Sequence, residues 1–342
     1  MIQSALLTSQ PETAPVLTVT DLKIRFGGAT GIPVVDGISF SVMPGKTLCL
    51  VGESGCGKSV TALSVMDLLP QPPAHVSARA MSFRGNDLAA MPAQQRAALR
   101  GDQMTMIFQE PMTALNPSHR IGDQIAEVVL RHRKITSAEA RAVALEMLKK
   151  VRVPAPEKRL DVFPHELSGG MRQRVMIAMA LANNPALIIA DEPTTALDVT
   201  IQAQILTLIR NLQQDTGTAM LLITHDLGVV AEIADDVAIM YAGHIVEFGS
   251  VADIFDDPQH PYTLGLMGSR PSLGKREGAL AAIEGQVPQP ANFPKGCRFS
   301  TRCPFADDHC ARERPELVTI QGQHRAACFK LPLEALAGGL AA

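Results

Sequence analysis

Short apolar runs recur along the chain and alternate with stretches of helical period. Residues 47–51, 186–190 and 219–224 are almost continuously apolar, as strands buried on both faces of a parallel sheet should be. Leu17, Val19, Leu22 and Ile24 alternate with more polar neighbours and predict a strand over residues 16–26. Turn residues at 27–31 then lead to a second strand through Ser41 and Val42. Residues 81–83 and 104–108 read as shorter strands, and residues 237–241 and 244–248 as a hairpin turning at Ala242 and Gly243. A helix is predicted from Lys58 to about Leu69, where Pro70 stops it. Ile125, Val128, Val129, Ala144, Leu145 and Leu148 give residues 121–151 helical period, and further helices are predicted over 171–182 and 199–214. This alternation of strand and helix predicts an α/β fold.

The pattern changes after about residue 256. Prolines at 258, 261, 271, 288, 290 and 294 predict a linker and an irregular segment, leading to a compact stretch with four of the six cysteines. A length of 342 residues accommodates two domains, divided here as 15–255 and 256–342. Apolar content of 46 % is that of a folded protein. A net charge of −3 without a long basic run argues against nucleic acid as the main partner. No apolar stretch approaches the length of a membrane span. Residues 1–16 lack lysine and arginine and contain Glu12, unlike a signal peptide. The expected compartment is therefore the cytosol, where disulfides are disfavoured and clustered cysteines point to metal.

The first apolar run ends in Gly52, Glu53, Ser54, Gly55, Cys56, Gly57, Lys58 and Ser59, which fits the phosphate-binding pattern G-x-x-x-x-G-K-[ST]. A phosphate tail needs several backbone N–H groups aimed at one point, and glycines let the backbone curl tightly and approach the anion. The helix that follows, with Val60 in its first turn, presents its positive end there. Lys58 can reach the β- and γ-phosphates, and Ser59 can offer its hydroxyl to Mg²⁺. A second apolar run ends in Asp191 and Glu192. One carboxylate can hold Mg²⁺ and the next can polarise the attacking water. Such a pair is costly at a buried strand end without a cation. Ser168, Gly169 and Gly170 open the helix over 171–182, either as a second anion-binding helix end or as an ordinary cap. Gln109 and His225 each follow a predicted strand: a lone glutamine there either reaches a metal or water or does nothing special, and a lone histidine is either structural or contacts a γ-phosphate. Phe26, just before a turn, is either an adenine platform or a core aromatic.

Residues 52–59, Gln109, 167–171, 187–192, Ala196, Leu197, Asp198 and His225 occur in an order and spacing that resembles the ATP-binding-cassette (ABC) ATPases over residues 16 to about 250. Residues 52–64, 109–117, 260–263 and 296–304 resemble the ATPases of oligopeptide and dipeptide importers, and residues 59–62 resemble their D-type subunit more than its F-type partner. The resemblance implies a RecA-like P-loop NTPase core, an antiparallel β subdomain and an inserted α-helical subdomain at about 111–180. It implies that Lys58 and the loop amides hold the ATP phosphates, that Ser59, Gln109 and Asp191 serve Mg²⁺, that Glu192 is the base and that His225 contacts the γ-phosphate. Ser168, Gly169 and Gly170 would bind ATP held by the opposite subunit, Asp198 would lie at the dimer interface, and Phe26 would stack on adenine. The implied partners are an F-type ATPase, two transmembrane permease subunits and an extracytoplasmic peptide-binding protein, with the chain on the cytoplasmic face of the membrane. The competing expectation, a soluble ABC ATPase acting on nucleic acid or ribosomes, goes with fused cassettes or long basic insertions. An importer of another solute, such as a nickel complex, has the same ATPase sequence signals.

Cys297, Cys303, Cys310 and Cys328 follow the spacing C-x₅-C-x₆-C-x₁₇-C. Four thiolates suit tetrahedral zinc, but the C-x₂₋₄-C knuckles of structural zinc sites are missing. Wider loops suit a bulkier iron–sulfur cube. The resemblance to D-type ATPases, some of which carry a [4Fe–4S] cluster, favours iron–sulfur, with zinc as the alternative. On this reading the group is structural, and Cys303→Ser should lose it and destabilise the tail while leaving the phosphate loop intact.

Overall fold

The computed structural model describes residues 14–28, 31–109, 114–193, 199–268 and 283–333. The strands β1 (Leu17–Phe26) and β2 (Pro33–Val42) precede β3 (Thr47–Val51) and α1 (Lys58–Val65). Next come β4 (Ala74–Ser77), β5 (Ala80–Phe83), β6 (Asn86–Asp87), α2 (Ala93–Leu99) and β7 (Met104–Ile107). A helical run follows: α3 (Ile121–His132), α4 (Ser137–Lys150), α5 (Pro156–Arg159) and α6 (Gly169–Leu181). The chain then alternates through β8 (Leu187–Asp191), α7 (Val199–Thr216), β9 (Ala219–Thr224), α8 (Leu227–Ile233), β10 (Asp236–Tyr241) and β11 (His244–Ser250). Beyond these lie α9 (Val251–Asp256), α10 (Pro261–Gly268), α11 (Asp308–Arg312), β12 (Val318–Gln321) and β13 (His324–Ala326).

Two sheets organise these elements. The larger runs β12-β13-β11-β10-β3-β9-β8-β7, and its members β10, β3, β9, β8 and β7 are mutually parallel. The smaller is antiparallel, β2-β1-β5-β6 with β4 also on β1. The central strands are buried along their whole length, which is why they read as unbroken apolar runs. Their side chains alternate between two cores. Leu48, Leu50, Ile189, Leu221 and Met240 meet Leu22, Ile24 and Phe40 of the antiparallel sheet. Cys49, Val51, Ile188, Leu222 and Ile239 meet Ile125, Leu148, Ile177 and Val230 of the helices. Each fully buried Leu or Ile contributes about 1.5–3 kcal/mol. The parallel sheet is thereby fixed between two layers, and its strand ends at Val51, Asp191 and Thr224 form one rim.

Three local expectations need correcting. Helix α1 ends at Val65, not near Leu69. Asp67 takes a left-handed φ of 54°, the Leu68 N–H donates to the Leu63 carbonyl at 2.8 Å and the Asp67 N–H to that of Ser64 at 3.1 Å. This Schellman turn closes the helix before Pro70 can act. Residues 121–151 are two helices because Thr136 caps α4. Its hydroxyl accepts from Glu139 N while the Glu139 carboxylate accepts from Thr136 N at 2.7 Å. The segment expected to be irregular also contributes to the main sheet: β13 pairs with β11 through Glu247 with Ala326 and Phe248 with Arg325.

Candidate nucleotide site

The loop after β3 rests on backbone that only glycine adopts readily. Gly52, Gly55 and Gly57 have φ of 159°, 83° and 103°. A Cβ at Gly52 would stand 2.1 Å from the Met240 carbonyl oxygen, and one at Gly57 would stand 2.8 Å from Val35 Cγ2. Ser54 and Gly55 form the exposed crest of the loop, and Cys56 is buried beneath it. Burial pushes the Cys56 thiol up, and nearby Lys58 pulls it back. Lys58 is 5 % exposed. Its Nζ donates to the carbonyls of Gly52 at 2.6 Å and Glu53 at 2.9 Å, so the ammonium is held against the loop. Val60 lies in the first turn of α1, half-buried against the antiparallel-sheet core.

The acidic pair stands on the neighbouring rim. Ser59 Oγ donates to Asp191 Oδ1 at 3.0 Å. Burial raises the Asp191 carboxyl above its usual range, opposed by the Ser59 bond and reinforced by the charge of Glu192. Divalent charge placed here would relieve both raising effects. Glu192 takes a left-handed φ of 46°. Its N–H donates to the Ile223 carbonyl at 2.9 Å, which turns the side chain out of the strand direction. Glu192 Oε2 accepts from Gln109 Nε2 at 3.3 Å, and Oε1 lies 3.2 Å from His225 Nδ1. Five predicted residues on four chain segments thus form two adjoining pairings: Ser59 with Asp191, and Glu192 with Gln109 and His225. Gln109 bonds to Glu192 here, beside the Ser59–Asp191 pair.

Other predicted residues stand apart. Ser168 caps α6, its Oγ accepting from Met171 N at 3.4 Å. Ser168 and Gly169 are exposed and Gly170 half-buried, and no hydrogen bond joins them to the loop over 52–59 among the described residues. Phe26 ends β1 and is 38 % exposed, so it is not a core aromatic. Asp198, with Ala196 and Leu197, lies outside the described residues. Sequence reasoning missed two residues that touch the loop. Tyr262 Oη accepts from Glu53 N at 2.9 Å, and Arg302 forks onto the Glu53 carboxylate. They lie more than 200 positions from Glu53, beyond the reach of any local pattern.

The four distal cysteines line one cavity of about 10 Å³ together with His260, Phe299 and Phe329. Among the described residues no three thiol, imidazole or carboxylate groups stand in metal-ligating positions. Sulfur is nonetheless the donor type that zinc and iron–sulfur groups take. Burial, helped by the neighbouring thiols and opposed by backbone hydrogen bonds, pushes Cys303 and Cys328 up to about 11. A cation among them would remove that repulsion and take thiolates as ligands.

A phosphate loop on an inner strand of a parallel sheet, an acidic pair ending a nearby strand and a buried helix α6 whose capped N-terminal end is exposed define a P-loop NTPase of the cassette type. The profile of the ABC transporter family matches residues 35–195, and that of the oligopeptide/dipeptide transporter C-terminal region matches residues 246–310. The chain is 51 % identical to the probable peptide ABC transporter ATP-binding protein y4tR of Sinorhizobium fredii, over 95 % of this chain and 97 % of that protein. It is 50 % identical to the oligopeptide transport ATP-binding protein OppD of Bacillus subtilis, over 90 % of this chain and 87 % of that one. The ATP-binding cassette MJ0796, solved as a dimer in a post-hydrolysis state with ADP and Pi, shares the fold at a TM-score of 0.61 and 24 % identity, over 69 % of this chain and 98 % of that one. The chain belongs to the ATP-binding subunits of ABC transporters, in the oligopeptide/dipeptide branch. It is an ATPase, working on ATP with Mg²⁺. No helix among the described residues is long and apolar enough to cross a membrane.

Proposed function

We propose that this chain hydrolyses ATP to drive uptake of di- or oligopeptides, as a peripheral subunit on the cytoplasmic face of the membrane. The names of its relatives supply the peptide. Lys58 and the loop amides hold the phosphates, Ser59, Gln109 and Asp191 serve Mg²⁺, Glu192 accepts the proton of the attacking water, and His225 faces the γ-phosphate. Phe26 stacks on adenine. Residues 15–255 form the ATPase domain, with a helical subdomain at about 111–180 that meets the permeases, and residues 256–342 form the cysteine-bearing domain. The observation that carries the assembly is the exposed cap of α6, which among the described residues makes no hydrogen bond to this chain's own loop. Ser168, Gly169 and Gly170 complete the ATP site of a second, F-type ATPase, Asp198 lies at that interface, and two permeases and an extracytoplasmic peptide-binding protein complete the transporter. Co-purification with the permeases and an ATPase rate stimulated by peptide-loaded binding protein is the expected result, with a dilute monomer nearly inactive. Full activity from a demonstrably monomeric preparation, or co-purification with nucleic acid in place of permeases, would overturn it.

We assign Cys297, Cys303, Cys310 and Cys328 to one four-thiolate group, an iron–sulfur cluster before zinc. Its support is the convergence of the four thiols on one cavity. Bound there, the group would cross-link the tail by its own ligand bonds. Anaerobic purification is expected to give a brown protein with about four irons per chain. A colourless preparation with stoichiometric zinc would select the alternative, and one without either metal would refute the assignment.

A further inference from the structure

The phosphate loop is gripped from outside by the C-terminal part of the chain. Arg302 Nη1 donates to Glu53 Oε2 at 2.6 Å and Nη2 to Oε1 at 3.0 Å, a bidentate fork. The same guanidinium donates through Nε to the Glu284 carbonyl at 2.8 Å and through Nη2 to those of Ile283 and Gly285, both at 3.2 Å. Nη1 also lies 3.5 Å from Tyr241 Oη. The Arg302 side chain is 4 % exposed, and its donors are committed to the loop on one side and to the linker backbone on the other. Burial works against its charge, and the bonds to Glu53 and Tyr241 more than offset it, holding Arg302 above the ordinary arginine value.

The other end of Glu53 is fixed as well. Its N–H donates to Tyr262 Oη at 2.9 Å, and Tyr262 is fully buried in α10. The Tyr262 and Tyr241 rings meet at 4.7 Å, and Phe299 meets both at 5.4 and 5.1 Å. Phe299 and Arg302 lie between Cys297 and Cys303. The Glu53 carbonyl in turn accepts from Lys58 Nζ. A continuous path of bonds therefore runs from the cysteine segment through Arg302 and Glu53 to the lysine of the phosphate loop. The loop needs such support, because glycine-rich backbone loses the most conformational freedom when it is ordered.

We propose that Arg302 is a positioning residue for ATP, which pre-orders the phosphate loop through Glu53 and makes nucleotide affinity depend on the state of the cysteine-bearing segment. The inference rests on the nucleotide role of the loop over residues 52–59. Arg302 touches no reacting atom, so its effect falls on binding and not on the chemical step. Lysine cannot replace it, since an ammonium cannot make the two-pronged contact.

The test uses the full chain and a fluorescent ATP analogue, with Arg302→Gln, Arg302→Lys, Glu53→Gln and the Arg302→Gln/Glu53→Gln pair. Each single variant is expected to weaken binding about tenfold, and the pair by no more than either single change, because both remove one contact. Amide hydrogen exchange should accelerate at residues 52–57 and stay slow in β8 and β9. In the assembled transporter the Arg302 variants should raise KM for ATP about tenfold with kcat within about twofold. Unchanged affinity in Arg302→Gln, or additive losses in the pair, would overturn the proposal. If exchange in β8 and β9 shows that Arg302→Gln is unfolded, Arg302→Lys decides: wild-type affinity there overturns it equally. A wild-type chain that fails to bind ATP would count instead against the nucleotide role of the loop.

Discussion

Glu192→Gln is expected to keep ATP binding and to lower steady-state hydrolysis in the assembled transporter by about 10²–10⁴-fold, the range of a lost general base. The geometry makes this change unusually clean. Glu192 is turned toward its partners by its own backbone, through a φ of 46° and the bond from its N–H to Ile223. Glutamine has the same shape and one oxygen fewer. That oxygen can still accept from Gln109 Nε2, and the new NH₂ group can donate to His225 Nδ1 when the other ring nitrogen carries the proton, so both contacts survive. What disappears is the site that accepts a proton. Ser59, Asp191 and Lys58 are untouched, so affinity for ATP and Mg²⁺ should stay within about twofold and the variant should accumulate as a nucleotide-bound form. Rapid-quench hydrolysis assays and nucleotide retention on gel filtration read the two halves separately. Hydrolysis within about tenfold of wild type would remove Glu192 from the role of base.

The parts of this site that could be read from the chain are those carried by local patterns. Residues 47–59 were legible because a doubly buried strand must be apolar and a loop that wraps phosphate must be glycine-rich. Asp191 and Glu192 were legible because two carboxylates at the end of an apolar run violate the expectation for a core. The break between α3 and α4 was visible in principle, since Thr136 and Glu139 form a capping pair. Apolar period continued on both sides and hid it. The Schellman turn at Asp67 was harder to see because that position ordinarily takes glycine. Strands β12 and β13 are only four and three residues long, and the pairing of β13 with β11 is set by tertiary packing. The grip of Arg302 on Glu53 joins residues 249 positions apart. Both ends lie in stretches that carry the resemblance to peptide-importer ATPases, but neither violates a local rule, so nothing in the sequence shows that they meet.

Glu247 did break a local rule, and it leads to the largest expected loss of stability. A charged residue sits in the middle of β11, at 0 % exposure. Burial raises its carboxyl above the usual range, and the donors around it draw it partly back. Its Oε1 accepts from Gln259 N at 2.6 Å and faces His324 Nε2 at 2.9 Å. Its Oε2 accepts from His260 N at 3.0 Å and from Thr263 Oγ1. One carboxylate therefore joins β11 to the start of α10 and to β13. Glu247→Ala would leave two backbone N–H groups, a hydroxyl and a buried imidazole facing a void, a loss of about 3–5 kcal/mol by analogy with broken buried pairs. Glu247→Gln should cost nearly as much, because its NH₂ group would meet donors on one side of the site whichever way the amide turns. Urea unfolding followed by circular dichroism measures this, and a loss below about 1 kcal/mol for both variants would show that the network carries little of the stability. The consequence reaches the nucleotide, because the segment that Glu247 anchors also carries Tyr262, which holds the Glu53 N–H. Loosening that anchor should weaken ATP binding in the folded fraction while leaving Ser59, Asp191 and Glu192 in place.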